Sequence, residues 1–292
     1  MRSAAKAVAW PVWLAFAALS VIWGLPYLFI KLAVAEIPPV IVAWARLALG
    51  AAILLPVAWK RGSLRSAATH WRAVCAFAVV ELAVPFPLIA LGERWISSSL
   101  TAVLIATVPF TVVVLSPLFG LRRQLTARRI AGLFCGFSGV VVLLGIDPVA
   151  GPLGWAGVAC VVVAVAGYAI GALIVERHLH GVDEFGSVAL SLAVAALVLL
   201  PGIFLTLPDH VPSMLALNSV IVLGVVCTAA ALWLYFYLVA RVGAARATVF
   251  TYVNPAVATL LGVVVLHERF GLSLLAGLAL ILLGSWLAAQ RA

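Results

Sequence analysis

Charged residues are scarce in this sequence. Asp, Glu, Lys and Arg together make up 9% of the 292 residues, whereas a soluble domain carries about 25%. Hydrophobic residues make up 66% of the chain. A water-soluble fold of this length cannot bury so much apolar surface, so the composition excludes a soluble protein and predicts an integral membrane protein.

Cysteine is also rare, and its positions exclude a disulfide framework. All four cysteines lie inside apolar runs, where they are expected to act as small packing residues: Cys75, Cys135, Cys160 and Cys227.

The motifs of several enzyme classes are absent as well. No GxxxxGKS or GxxxxGKT occurs, which excludes ATP hydrolysis through a P-loop. His267 and Glu268 begin HERFG, which lacks the second histidine of HExxH. His178 and His180 lie with Glu176 in a short loop, where solvated side chains are expected rather than metal ligands. We therefore expect no enzyme activity, no metal and no cofactor.

What the chain does contain is a series of apolar runs joined by short connections. A bilayer-spanning helix needs about 20 apolar residues. Ten runs approach or exceed that length, at residues 12–31, 38–59, 73–91, 96–120, 130–146, 153–175, 185–207, 213–240, 245–266 and 270–289. The predicted fold class is an all-α integral membrane protein with ten transmembrane helices.

Lys and Arg are distributed unevenly between the two sides of this predicted bundle. With the N-terminus inside, 14 of them face the cytoplasm, and three face outside: Lys31, Arg94 and Arg269. Positive residues are retained on the cytoplasmic side, so both termini are predicted to be cytoplasmic. This bias and anionic lipid headgroups account for the net charge of +9, so no nucleic-acid partner is expected.

The two halves of the sequence repeat each other. At an offset of 145 or 146 residues, six positions coincide: Pro56 with Pro201, Val103 with Val249, Pro109 with Pro255, Leu115 with Leu261, Gly132 with Gly277 and Gly139 with Gly284. Five helices per unit is an odd number, so the second unit must cross the membrane in the opposite direction. The prediction is two inverted five-helix repeats, residues 1–146 and 147–292, around a central cavity, as in many secondary transporters.

Pro109 and Pro255 support such a cavity, because both fall near the middle of an apolar run. A proline removes a backbone hydrogen bond, and in lipid the exposed carbonyl is tolerated only beside a partner, water or a cavity. Asn254 precedes Pro255 and offers an amide to that cavity. The alternative is that the prolines only shape packing and Asn254 bonds a neighbouring helix.

Several stretches also resemble a known family. WGLPYLFIKLAV, PPVIVAWARLALGAAILLP, ALGERWISSSLTAVLIATVPFTVVV and AGLFCGFSGVVVLL in the first half, with ARATVFTYVNPAVATLLGVVVLHERF and AGLALILLGSWLA in the second, are similar to the EamA-type branch of the drug/metabolite transporter superfamily. Within that branch the chain most resembles the aromatic and broad-range amino-acid exporters. The resemblance implies ten helices and export of small metabolites, frequently amino acids.

The family pattern is matched at five positions: Trp23, Gly24, Lys31, Arg46 and Glu268. It is not matched after the fourth helix, where Arg122 and Arg123 stand in place of an acidic residue. Because that loop is predicted to be cytoplasmic, the change reinforces the orientation.

Two ionisable residues lie deep in predicted spans, where such groups are functional candidates. Arg46 and Glu81 lie at depths that differ by about 3 Å at 1.5 Å per residue. One interpretation is a structural ion pair between them. The other is that Glu81 faces the cavity, where it would bind a substrate ammonium group or a coupling proton.

Aromatic side chains complete the predicted binding site. Aromatic faces bind cations and apolar side chains, which suits amphipathic substrates. The candidates, together with Glu81, Pro109 and Asn254, are Trp23, Tyr27, Tyr168, Trp233 and Tyr252. The alternative for each aromatic residue is a position facing lipid or the membrane interface.

The sequence therefore predicts a secondary transporter that exports amino acids and related small metabolites by alternating access from a bacterial-type inner membrane. The alternatives are a carrier of another metabolite class, such as nucleotide sugars, and a non-transporting membrane scaffold subunit. Its partners would be a small-molecule substrate and the lipid bilayer. A monomer is expected, with a homodimer through helices five and ten as the alternative.

Overall fold

The computed structural model describes residues 10–121, 126–146, 151–208, 210–242, 253–268 and 271–289. Every regular element among these residues is helical. The first half contains α1 (Trp10–Ile22), α2 (Pro26–Val34), α3 (Pro39–Lys60), α4 (Ser63–Thr69), α5 (Trp71–Phe77), α6 (Pro85–Gly92), α7 (Ser98–Ile105), α8 (Val108–Leu115) and α9 (Ala127–Ile146). The second half contains α10 (Gly151–His178), α11 (Glu184–Leu205), α12 (Met214–Gly224), α13 (Ala231–Val242), α14 (Asn254–Val265) and α15 (Leu272–Ala289).

Among the described residues, seven helical stretches are long and apolar enough to cross a bilayer: Trp10–Val34, Pro39–Lys60, Trp71–Gly92, Ser98–Phe119, Gly151–His178, Glu184–Leu205 and Met214–Tyr235. Three shorter apolar helical segments are Ile130–Gly139, Asn254–Val265 and Leu272–Gly284. Each of the ten overlaps one of the predicted runs. The seven long stretches confirm the class of an all-helical, multi-pass membrane protein.

Large apolar side chains project from the outside of the bundle. Trp59 is 75% exposed, Phe204 74% and Phe134 71%. In a soluble protein, large exposed apolar surfaces mark sites of interaction. In a bundle of membrane-spanning helices, they are the surface that lipid covers.

Glycines bring α9 and α15 into close contact. A Cβ atom added at Gly139 would lie 2.9 Å from the carbonyl oxygen of Gly277, and one at Gly284 would lie 2.6 Å from that of Gly132. Residue numbers therefore rise along one helix as they fall along the other, so the two helices are antiparallel. These are the four glycines that the sequence repeat aligns.

Helices α3 and α11 pack in the same antiparallel manner. A Cβ atom at Gly202 would lie 2.9 Å from the Val40 side chain, and one at Gly50 would lie 3.4 Å from Leu192. Around this contact lies a cluster of buried residues that includes Leu47, and the close packing fixes the centre of the bundle.

Four helices near the centre of the bundle begin at or next to a proline. Pro26 opens α2, Pro85 opens α6, and Pro109 and Pro255 are the second residues of α8 and α14. Proline is tolerated in the first helical turn, because the N–H it lacks would have no intrahelical partner there. The predicted breaks at Pro109 and Pro255 are confirmed: at each, a new helical segment begins.

Two π-helical turns interrupt longer helices. Ala78–Ala83 lies between α5 and α6, and Val225–Ala230 lies between α12 and α13. Both are six residues long, at matching places in the two halves of the chain. Such turns occur frequently at functional sites, because the extra residue in the turn leaves backbone carbonyls open to other partners.

Candidate substrate-binding cavity

A cavity of about 910 Å³ lies where these interruptions meet. This volume falls within the range of about 300–1,000 Å³ typical of small-molecule sites. Both halves of the chain contribute to its wall, which is mainly apolar. The polar and charged side chains that line it include Tyr27, Arg46, Glu81, Tyr168, Thr228 and Asn254.

Trp23 connects the break in the first helical stretch to a π-helical turn. Its indole Nε1 donates a hydrogen bond of 3.2 Å to the carbonyl oxygen of Cys227, and its ring lies 5.6 Å from that of Tyr235. Gly24 allows the approach of α14, because a Cβ atom there would lie 3.2 Å from the carbonyl oxygen of Asn254. The interruptions of three helices are thus joined on one side of the cavity.

Arg46 extends from α3 into the cavity wall. Its Nε donates a 2.9 Å hydrogen bond to Thr228 Oγ1, and its guanidinium lies 4.4 Å from the centroid of the Phe86 ring. The Thr228 hydroxyl donates in turn to the carbonyl oxygen of Leu223 at 2.8 Å. A cation–π contact and a neutral acceptor hold this side chain in place without neutralising its charge.

Glu81 lies in the first π-helical turn and lines the same cavity. Its Oε2 is buried and has no hydrogen-bond partner. The carboxyl group packs against Gly171 of α10, where no larger residue would fit. Glu81 Oε2 is therefore free to accept a hydrogen bond from an incoming donor.

An ion pair between Arg46 and Glu81, one of the two sequence interpretations, is not formed in this structure. Among the described residues the ion pairs within 4.0 Å include His210 with Glu36 but not Arg46 with Glu81. Glu81 instead packs against Gly171, while Arg46 donates to Thr228.

The structure brings together seven of the nine residues predicted for the site: Trp23, Tyr27, Arg46, Glu81, Pro109, Tyr168 and Asn254. Trp233 is not among the residues that line the cavity, and its side chain is 54% exposed. Tyr252 lies outside the described residues.

Sequence reasoning missed Thr228 and Phe86, the two partners of Arg46. Thr228 has a hydroxyl group within an apolar run. It could have been paired with Arg46, the only cation predicted deep in a span. The contact of Phe86 with Arg46 had no comparable signal.

A second polar group, which we call the Lys31 cluster, lies at one end of the cavity. It consists of Lys31, Glu93, Ser98, Ser99 and Glu268. Lys31 Nζ donates to the backbone carbonyl oxygens of Glu93 and Ile96, the latter at 2.8 Å. Two neighbours of this cluster line the cavity itself. Ile30 precedes Lys31 by one residue, and Ile89 precedes Glu93 by about one helical turn.

Glu268 accepts four hydrogen bonds at the N-terminus of α7. The donors to one carboxylate oxygen are Ser98 N at 2.7 Å and Ser98 Oγ at 2.9 Å; those to the other are Ser99 N at 3.1 Å and Ser99 Oγ at 2.5 Å. A carboxylate in this place satisfies free backbone N–H groups and complements the helix dipole. Gly262 makes the contact feasible, because a Cβ atom there would lie 2.5 Å from Ser99 Oγ.

The profile of the EamA-like transporter family matches the chain twice, at residues 10–145 and 155–290. The chain belongs to the EamA-like transporter family. This protein is accordingly a membrane transporter, the class that its sequence predicted in preference to an enzyme.

Similar proteins cover nearly the same length. The chain is 27% identical to an uncharacterized transporter of Archaeoglobus fulgidus, over 96% of this chain and 99% of that protein. It is 25% identical to the uncharacterized transporter YoaV of Bacillus subtilis, over 94% of each chain. It is also 27% identical to the uncharacterized inner membrane transporter YedA of Escherichia coli K12, over 86% of this chain and 82% of YedA.

One solved crystal structure resembles this EamA-like transporter with a TM-score of 0.68, at 20% sequence identity over 96% of each chain. At that identity the likeness shows a shared fold.

Proposed function

We propose that this EamA-like protein is a secondary transporter that exports amino acids and related small metabolites by alternating access. The observation that carries the proposal is a cavity with one cation and one carboxylate that do not pair with each other, Arg46 and Glu81. A zwitterion has the complementary pair of charges: its carboxylate would bind Arg46 and its ammonium group Glu81. Both are charge-assisted interactions, which are stronger than neutral hydrogen bonds.

Aromatic residues in the wall would hold the side chain of the substrate. Trp23, Tyr27, Tyr168 and Phe86 all line the cavity. An aromatic or large apolar side chain gains both buried area and ring contacts in such surroundings. This composition favours aromatic and large apolar amino acids among the zwitterions.

The architecture we propose is ten transmembrane helices in two inverted five-helix repeats, residues 1–146 and 147–292. The two family matches begin at residues 10 and 155, an offset of 145, which equals the offset of the sequence repeat. The antiparallel contacts of α3 with α11 and of α9 with α15 support the inversion. In inverted repeats the substrate site lies between the units, which then move against each other.

Three residues that line the cavity lie in the halves of their helical stretches that are distant from the Lys31 cluster: Phe77, Val112 and Val188. With both termini cytoplasmic, as we propose, these halves lie on the cytoplasmic side, and the substrate would bind from within the cell. The printed name of YedA as an inner membrane transporter supports a location in a bacterial-type inner membrane.

A monomer is the proposed oligomeric state. The glycines that offered a dimer interface in helices five and ten are used inside the chain, where Gly284 packs on Gly132 and Gly136. A dimer through that face would have to displace these contacts.

The proposal is tested by uptake of a panel of labelled amino acids into proteoliposomes, with and without a pH gradient. We expect saturable uptake, strongest for aromatic or large apolar amino acids. Glu81→Gln should lower uptake at least about tenfold, because a hydrogen bond to a charged group contributes about 1.5–3 kcal/mol. Trp233→Phe, which changes an exposed aromatic side chain outside the cavity wall, is the matched control and should transport as the parent does.

Other outcomes would replace this function. Uptake of nucleotide sugars and of no amino acid would identify the alternative carrier. Uptake of no solute, together with copurification of a stoichiometric partner, would identify a scaffold subunit.

A further inference from the structure

The Lys31 cluster closes the cavity at one end, and its charged groups are satisfied unequally. It joins the C-terminal ends of α2, α6 and α14 to the N-terminus of α7. Glu268 receives four donors, and Lys31 is held by two backbone carbonyls. The remaining charged group, the Glu93 carboxyl group, receives no donor.

Glu93 is the most enclosed acidic side chain of the cluster. Its side chain is 0% exposed. Both carboxyl oxygens are buried and have no hydrogen-bond partner. The charged and titratable groups that surround it are Lys31, Tyr27, Arg46, Glu268 and, on α10 beside Gly92, Cys160.

A buried carboxylate without a donor is unfavourable, whereas the protonated acid avoids the desolvation of a charge. Neither carboxyl oxygen of Glu93 has a donor that would compensate for that desolvation. The closed cluster therefore favours a bound proton.

We propose that Glu93 is a proton-binding site that controls the opening of this end of the cavity, an inference that rests on the proposed transport function. In the closed state the carboxyl group holds its proton. When α2, α6, α7 and α14 separate, water reaches Glu93 and Lys31 leaves the two carbonyls. The O–H bond of the acid then breaks, the proton passes to water on that side of the membrane, and the carboxylate pairs with water or with Lys31.

This linkage has a direction. The open state releases a proton, so low pH on the side of the Lys31 cluster favours the closed state and slows transport. The response depends on the pH of that side alone and persists without a pH gradient. For a single site the slowing approaches about tenfold per pH unit.

The first test is infrared difference spectroscopy on the purified full-length protein, and it requires no transport. We expect a band from a protonated carboxylic acid at neutral pH that Glu93→Gln removes. Glu81→Gln is the control for the other buried carboxyl group with an unpaired oxygen, and it should leave the Glu93 band unchanged. If the Glu93→Gln spectrum keeps every carboxylic-acid band of the parent, Glu93 is ionised and the proposal is overturned, whether or not amino acids are transported.

The second test is exchange of a labelled amino acid across proteoliposomes at equal pH on both sides. Exchange by the parent should slow as pH falls. So should exchange by Glu36→Gln, which changes a partly exposed carboxylate at the same end. Glu93→Gln should exchange slowly with no such dependence, and Glu93→Asp should restore the dependence. An unaltered pH profile in Glu93→Gln would overturn the proposal. If Glu93→Gln does not fold, Glu93→Asp provides the test. If residue 93 is the group that titrates, the pH midpoint of exchange in Glu93→Asp should differ from that of the parent. An unshifted midpoint contradicts the proposal.

Discussion

Two carboxyl groups of the Lys31 cluster differ both in burial and in hydrogen bonding. Glu268 is partly exposed and accepts four hydrogen bonds from two consecutive serines at the start of α7. The Glu93 side chain is fully buried and accepts none. The comparison shows that solvent and hydrogen-bond donors together stabilise the charge of Glu268, whereas Glu93 has neither.

The largest effect is expected at Glu268. Glu268→Ala removes the acceptor of the Ser98 and Ser99 N–H groups at the start of α7 and leaves these buried donors unsatisfied. We expect a loss on the order of 3 kcal/mol in stability, because hydrogen bonds to charged groups contribute about 1.5–3 kcal/mol. Thermal unfolding in detergent would show a lowered midpoint; an unchanged midpoint would mean that the four hydrogen bonds contribute little.

A smaller effect is expected at Gly262, which brings the serines within reach of Glu268. In Gly262→Ala the added methyl group overlaps Ser99 Oγ, so the carboxylate and the hydroxyl must move apart. Overpacking of this kind costs about 1–3 kcal/mol. The control is Leu260→Ala on the same helix, whose side chain is exposed. Equal unfolding midpoints for the two variants would refute the steric role of Gly262.

Glu93→Gln sharpens the comparison, because it replaces a proton-bearing acid by a neutral amide of similar shape. We expect a change in stability within about 1 kcal/mol, since no hydrogen bond to a carboxylate is lost. Unfolding midpoints of Glu93→Gln and Glu268→Gln, measured side by side, should therefore differ clearly. A loss in Glu93→Gln as large as that in Glu268→Gln would contradict the account of the cluster.

The smallest effect is expected at Glu36, a partly exposed carboxylate in the loop between α2 and α3. Its side chain accepts hydrogen bonds from Ser213 Oγ and Ser213 N, both at 2.6 Å. The side-chain hydrogen bond, then the backbone one, lowers the Glu36 pKa below its ordinary value of 4.5. The ionised Glu36 side chain therefore contributes its full stabilisation above about pH 4.5. This stabilisation is lost as the pH falls through the lowered pKa of Glu36 in the folded state. The small difference in unfolding midpoint between the parent and Glu36→Gln should disappear in acid; a constant difference would show that Glu36 acts without its charge.

Much of the fold follows from the sequence because lipid imposes simple demands. The lengths of the apolar runs placed the helices, and the repeat located Pro109 and Pro255, where new segments begin. The same repeat aligned the glycines at which α9 and α15 meet. Each of these features depends on local composition or spacing.

The parts of the site that could not be predicted depend on backbone irregularity and on contacts distant in sequence. Neither π-helical turn, Ala78–Ala83 or Val225–Ala230, has a composition that distinguishes it from an α-helix, although the first contains Glu81 and the second contains Thr228. Glu93 follows the last residue of α6, and no sequence motif singled it out. Its burial arises because segments far apart in sequence pack around it.

The central claim, that Arg46 and Glu81 bind opposite charges of one zwitterion, is tested most directly by competition in proteoliposomes. Uptake of a labelled amino acid would be inhibited by the same amino acid, by its decarboxylated amine and by its deaminated acid. In the parent the intact amino acid should inhibit uptake more strongly than either analogue. In Arg46→Gln the amino acid should inhibit no better than the amine, which lacks the carboxylate. In Glu81→Gln it should inhibit no better than the acid, which lacks the ammonium group. If both variants keep the parent's order of preference, the two charges do not recognise the substrate, and the account is contradicted.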